Sequence, residues 1–205
     1  MRLVSLLLIV GSALVAAQAD LNPESRARLP YLQRKDMDEK ALPIYDTLPG
    51  RGQDGVLRGP LAFAAYNPAV AKALFDLHNA AVAGSLTPHT RELAIMVACR
   101  ETNYNLEWNG HEATALRNGV DAKVLDVIRA RGPLTGVDEK DAVVIRFGRQ
   151  MFTDKKVDSA TYAKIVELYG KKGAMDLVAV MITYADSGFY GIAVNEQPAP
   201  GKQPL

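Results

Sequence analysis

From Asn67 onward, apolar and polar positions recur at helical spacing. In NPAVAKALFDLHNAAVAG, Val70, Leu74, Leu77 and Ala81 stand three or four residues apart and Gly84 closes the run, which predicts an amphipathic helix. The next segment, LTPHTRELAIMVACRET, opens on Thr87 as N-cap with Pro88 at the first helical position, where its missing N–H costs nothing. Its LAIMVA core is apolar almost all round, so this helix is expected to be central and buried on most sides. Further helices are predicted from about Leu106 to Asn118, closed by Gly119, and over Asp121–Ala130, ended by Gly132-Pro133. Asp138–Phe152 follows, with Thr135 and Asp138 spaced as a capping box in which Asp replaces Glu. Asp158–Tyr169 and Ala174–Ala193 complete the set. No segment carries a convincing period of two, and no NG or DG turn joins apolar strands. The predicted class is all-α, a single-domain bundle of about six to eight helices.

The two ends read differently. Residues 1–19, MRLVSLLLIVGSALVAAQA, have one Arg, an apolar and small-residue run, and Ala-Gln-Ala before Asp20. That is the layout of a secretory signal peptide, with cleavage expected after Ala19 and a periplasmic or secreted mature chain. No stable membrane insertion is expected after its removal, because the run is short for a spanning helix. Residues 20–60 are rich in Pro, Gly and charge and read as a surface arm with one short helix near Met37–Leu42. Residues 61–195 form the helical domain, and residues 196–205 a polar, Pro-rich tail.

Composition then narrows the chemistry. The 24 basic and 23 acidic residues are interspersed, without the clustered Lys/Arg footprint of a nucleic-acid binder. A single cysteine, Cys99, rules out an intrachain disulfide framework and sits in LAIMVAC, where it reads as a buried small hydrophobe. No G-x-S-x-G elbow, Walker loop or dinucleotide fingerprint occurs. HEATA starts like a zinc-protease helix, but Ala115 stands where the second histidine belongs, and no third ligand accompanies Glu107 and His111. No metal and no cofactor are expected.

The chemically informative group is Glu92, Tyr104, Glu107 and His111. Positions 104, 107 and 111 are three and four apart, so on a continuous helix they share a face. A carboxylate four residues before a histidine favours the imidazolium and orients the ring. Phenol, carboxylate and imidazole together can donate a proton, accept one, and stabilise an enolate-like oxygen. By spacing alone, the same face also fits a solvated helix with a routine ion pair. Glu92 shifts that balance: a carboxylate in so apolar a helix either joins Arg91 on an exposed stripe or points inward at a partner such as His111. His78 reads as a partly buried, hydrogen-bonded side chain, and His89 as exposed in a first turn. YADSGFYG, with Tyr184 and Ser187, reads as a packing helix that could wall a pocket.

The stretch TPHTRELAIMVACRETNYNLEWNGHEATALRNGV, with E-L-A-I-x-V-A and then E-x-x-x-H, resembles the carboxymuconolactone decarboxylase and alkylhydroperoxidase D superfamily. The resemblance implies an all-helical fold and a homo-oligomer, trimer or hexamer. In the peroxidase branch the motif is C-x-x-C-x-x-x-H, with a Glu twelve residues ahead. That pattern puts the Glu on Glu92, the cysteines on Tyr104 and Glu107, and the histidine on His111. Thiol peroxidase chemistry needs an attacking thiolate and a resolving thiol, which these residues do not supply.

The decarboxylase-like branch implies instead loss of CO2 from a carboxylated unsaturated lactone and protonation of carbon, without a metal. On that reading His111 is the proton donor, Glu107 its orienting partner or relay, and Glu92 a second carboxylate in the network. Tyr104 would touch a substrate oxygen, with Trp108 beside it as packing or a further substrate contact. Arg91, Arg100 and Arg117 are the candidates for holding a substrate carboxylate. The expected function is a cofactor-free, carboxy-lyase-like enzyme acting on a small carboxylated or lactone-like molecule. The alternatives are an exported ligand-binding or assembly protein that keeps the fold without turnover, and a hydrolase on the same residues.

Overall fold

The structure, a computed structural model, describes residues 20–201 and 205; the expected signal peptide lies outside the described residues. Seven α-helices carry these residues, and the only β feature among them is an isolated antiparallel bridge between Arg51 and Leu57. They are α1 (Leu42–Tyr45), α2 (Pro68–Val82), α3 (Pro88–Glu101), α4 (Asn105–Arg117), α5 (Ala122–Arg129), α6 (Glu139–Arg149) and α7 (Ser159–Ala193). A 3-10 turn, Arg34–Asp36, precedes α1; another, Pro60–Tyr66, precedes α2; and a π-turn, Gln150–Asp154, extends α6. No helix among the described residues is long and apolar enough to cross a membrane.

Helix α3 is the axis of the bundle. Leu93 to Cys99 are all buried, and α4, α5, α6 and α7 pack around them. Each large apolar side chain there, Leu93, Ile95, Met96 or Val97, contributes roughly 1.5–3 kcal/mol by leaving water. Thr87 caps α3 as its sequence predicts, its hydroxyl accepting from the Thr90 N–H at 3.2 Å. Between α3 and α4 the chain reverses through Asn103 at φ 57, a left-handed position that Asn tolerates better than most residues. Helix α7 is broken at Gly170 (φ 67), which separates the two helices expected from the sequence.

Three local expectations change. The short helix of the arm starts at Leu42 and not near Met37, because Pro43 suits only the first turn of a helix. Asp138 itself caps α6, its carboxylate accepting from the Lys140 N–H at 3.0 Å, so no Thr135–Asp138 box forms. The arm is also more than a surface strap: Tyr45, Leu48 and Leu57 are buried with Ala62, Ala64, Ala65 and Ala71 in a small apolar cluster of their own.

Candidate active site

Glu92 sits in the second turn of α3 and is the one charged residue among those the helix buries, with its side chain 6 % exposed. A carboxylate that deeply placed needs a hydrogen-bonding partner. It has one in His111 of α4, whose Nδ1 lies 2.9 Å from Glu92 Oε2. On the other side of the ring, Nε2 lies 3.6 Å from Glu107 Oε2, one helical turn back on α4. The imidazole is therefore flanked by a carboxylate at each nitrogen and remains partly open to solvent. Because Glu92 accepts at Nδ1, the neutral ring carries its proton there, leaving Nε2 toward Glu107 and the opening.

Burial pushes Glu107 up from 4.5 to about 6; His111 opposes that rise and the negative charge of Glu196 adds to it. Two residues of other elements complete the surroundings. Tyr184 of α7 presents its ring edge-on to His111, with centroids 4.9 Å apart, and stands 5.5 Å from the His78 ring of α2. Burial and the carboxylates of Glu107 and Glu92 raise the Tyr184 phenol. Burial, then the neighbouring His111, lowers His78, which favours a neutral imidazole beside the site. Cys99 is fully buried behind these groups, and its burial raises the thiol well above its usual range.

Glu92, Glu107 and His111 thus converge, while the two residues expected to touch substrate do not join them. Tyr104 is not a helical residue: it is the N-cap of α4, with φ −103 and ψ 102, so the spacing of three to Glu107 does not give a shared face. Its hydroxyl donates to Glu196 of the C-terminal tail. Trp108, one residue and about 100° of helix beyond Glu107, points into the core under the Arg129 guanidinium, 5.0 Å from its ring centre. Its indole N–H has no partner among the described residues.

The other singled-out residues resolve as follows. His89 is not simply exposed, since its Nε2 pairs with Asp141 at 2.8 Å where the first turns of α3 and α6 meet. Ser187 is buried and donates back to the Thr183 carbonyl at 3.2 Å. Arg100 and Arg117 bond to Arg129 O and Thr114 Oγ1, away from the histidine. Arg91 bonds to Val82 O at 3.2 Å and lies close enough to Tyr184 to lower its phenol. His78, Tyr184 and Glu196 are the residues that sequence reasoning missed as members. His78 and Tyr184 arrive from helices remote in sequence, and Glu196 arrives from a polar tail.

Residues 68–145 match the Carboxymuconolactone decarboxylase family. No curated protein matches the sequence. Among solved structures, the alkylhydroperoxidase AhpD core of an uncharacterized peroxidase-related protein from Ralstonia eutropha JMP134 superposes with a TM-score of 0.64 at 16% identity. That match covers 87% of this chain and 98% of that one. The debrominase Bmp8 in complex with 2,3,4-tribromopyrrole superposes with a TM-score of 0.59 at 18% identity, covering 81% of this chain and 88% of that one. Its apo form gives 0.60 at 18% identity, over 82% and 90%. At these identities the likeness is one of fold. Residues 68–145 are thus similar to the carboxymuconolactone decarboxylase family, and the all-helical fold is similar to that of the AhpD core.

Proposed function

We propose that the chain is a cofactor-free acid–base enzyme, carboxy-lyase-like, acting on a small unsaturated molecule that carries a carboxylate or lactone. The observation that carries this reading is one imidazole held between two carboxyl groups, one of them raised to about 6. Of the two parts the sequence left to Glu107, orienting partner or relay, the first passes to Glu92 and the second stays. Glu92 makes the hydrogen bond that orients the ring, and Glu107, on the open side at Nε2, carries the proton. In a decarboxylation, the C–C bonding pair moves into the substrate as CO2 leaves, giving a dienolate. Protonated Glu107 or the His111 imidazolium then delivers a proton to carbon. Arg91 is the cation best placed to hold a substrate carboxylate. The debrominase of similar fold was captured with 2,3,4-tribromopyrrole, a small unsaturated ring, which supports a substrate of that size here. A thiol peroxidase reading lacks support, since Tyr104 and Glu107 hold the two redox positions and Cys99 is sealed from solvent.

The same reading includes assembly with further copies of the chain. Leu77, Ile182 and Phe189 are exposed along an apolar groove of about 420 Å³ between α2 and α7.

The test is a screen of unsaturated lactones and keto acids for CO2 release or proton exchange, with His111→Ala and Glu107→Gln beside the parent. Loss of general acid–base help lowers kcat/KM by about 10²–10⁴-fold. Parental rates in both variants on every substrate turned over would remove the proposed site. If nothing turns over while small acids raise the melting temperature of the parent, the chain binds such ligands without converting them.

A further inference from the structure

The C-terminal tail returns to the start of α4 and is fastened there. Beyond α7, Asn195 at φ 54 turns the chain, and the Glu196 N–H donates to Gly191 O at 2.8 Å. Gln197 N–H donates to Arg26 O at 3.0 Å, and Arg28 N–H to Val194 O at 2.7 Å, so the tail is clasped on its other side by the arm. These bonds fix the Glu196 side chain in the interior, at 8 % exposure. Its carboxylate accepts from the Tyr104 hydroxyl on one oxygen and from Tyr31 at 3.4 Å on the other. Among the described residues it forms no salt bridge, and Arg26 is near enough to lower it, against a burial that raises it.

The backbone of α7 is built to admit this contact. A Cβ at Gly191 would stand 2.2 Å from Tyr104 Oη and 2.4 Å from Cε2, and one at Gly188 would stand 3.2 Å from Tyr104 Cβ. Tyr104 is the N-cap of α4 and Glu107 the third residue of that helix, so the phenol bound to Glu196 opens the same turn that carries the carboxylate beside His111. The groups acting with or on Glu107 come from every packed element: Glu92 and Cys99 from α3, Tyr184 from α7, His111 and Tyr104 from α4, and Glu196 from the tail. Among them His111 draws the proton off Glu107 and Glu196 holds it on.

We propose that Glu196 is a positioning residue of the acid–base site: it locks Tyr104 at the head of α4 and so sets a buried carboxylate beside the first turn that carries Glu107. The proposal rests on Glu107 being the proton carrier, but its test needs no substrate.

Carbon-13 NMR of the glutamate side chains in the full chain follows the Glu107 titration, assigned by its loss in Glu107→Gln. With Glu196→Gln, which keeps an acceptor for a phenol but removes the charge, the Glu107 midpoint falls by half a pH unit or more. Glu196→Asp, which restores the charge, returns it toward the parent. Tyr104→Phe cuts the lock while keeping both glutamates, and amide exchange in the first turn of α4 speeds up at least tenfold. An unmoved Glu107 midpoint in folded Glu196→Gln overturns the electrostatic part. Unchanged exchange in Tyr104→Phe overturns the lock. If Glu196→Gln does not fold, Glu196→Ser, which also removes the charge, is read for the midpoint and Tyr104→Phe for the exchange. A site that fails the substrate screen while the midpoint still moves disproves the enzyme reading and leaves Glu196 in its place.

Discussion

Glu107 stores a measurable cost in the folded state. Its folded pKa, about 6, exceeds its ordinary 4.5, so the native chain binds more protons than the unfolded chain between those values. Stability from this group is therefore highest at low pH and falls as pH rises from about 4.5 through 6. Above that window the penalty is about 2 kcal/mol. Glu107→Gln should accordingly be more stable than the parent at pH 7, and the difference should close below pH 4.5; thermal melts across that range measure it. An exchange that stabilises a fold while removing its proton carrier is the expected mark of a functional acid. The Glu92–His111 pair was legible in the sequence as one of two options, since a carboxylate next to LAIMVA either joins Arg91 on an exposed stripe or turns inward to a partner, and helical spacing already put Glu107 with His111. Tyr104 was misplaced because that spacing argument assumed a helix already running at 104, whereas α4 begins at Asn105. Glu196 could not be found at all, since nothing in a polar, Pro-rich tail signals a buried carboxylate.

At the scale of elements, helix existence was readable from periodicity and caps, and the closeness of the helices was not. One tight approach lies between α3, α6 and the second half of α7. There a Cβ on Gly148 would come within 2.4 Å of Val97 Cγ1 and 3.2 Å of Met181 Cε. Val97 is β-branched and fully buried, so it cannot yield by rotating away. Gly148→Ala, favourable by helix propensity alone, should instead cost about 1–3 kcal/mol by overpacking. Urea unfolding should show this as a lower midpoint at unchanged slope. The apolar stripe of α2 teaches the converse. Val70, Leu74, Leu77 and Ala81 share a face as their spacing predicts, yet Val70 and Leu77 each remain 38 % exposed. Periodicity identifies a face that is apolar without saying whether this same chain covers it.

For the whole molecule, that uncovered face is the main unspent surface. Leu77, Ile182 and Phe189 line one groove, and Phe189 is 60 % exposed. A single copy rarely leaves such side chains contiguous to water without a partner. Light scattering after size exclusion should give an integral multiple of the chain mass, and Phe189→Asp with Ile182→Asp should reduce it to one copy. A parent that runs as a single copy at micromolar concentration would end the assembly reading. The two chain ends are equally telling, because the sequence presents them as an arm and a tail. In the structure they clasp each other through Arg26, Arg28, Val194 and Gln197, and together they seat Tyr31 and Tyr104 on one carboxylate.

That clasp also dictates an order of events when the chain folds. Tyr104 and Glu196 are 92 residues apart in sequence, and Tyr31 and Glu196 are 165 apart. Contacts of such separation bear a loop-closure entropy that the local helices do not, so they are expected to close after the bundle has collapsed. An interaction made on the native side of the folding barrier acts on the rate of leaving the native state more than on the rate of reaching it. Glu196 would then govern how long the assembled site persists, while the speed of folding is set elsewhere, around α3.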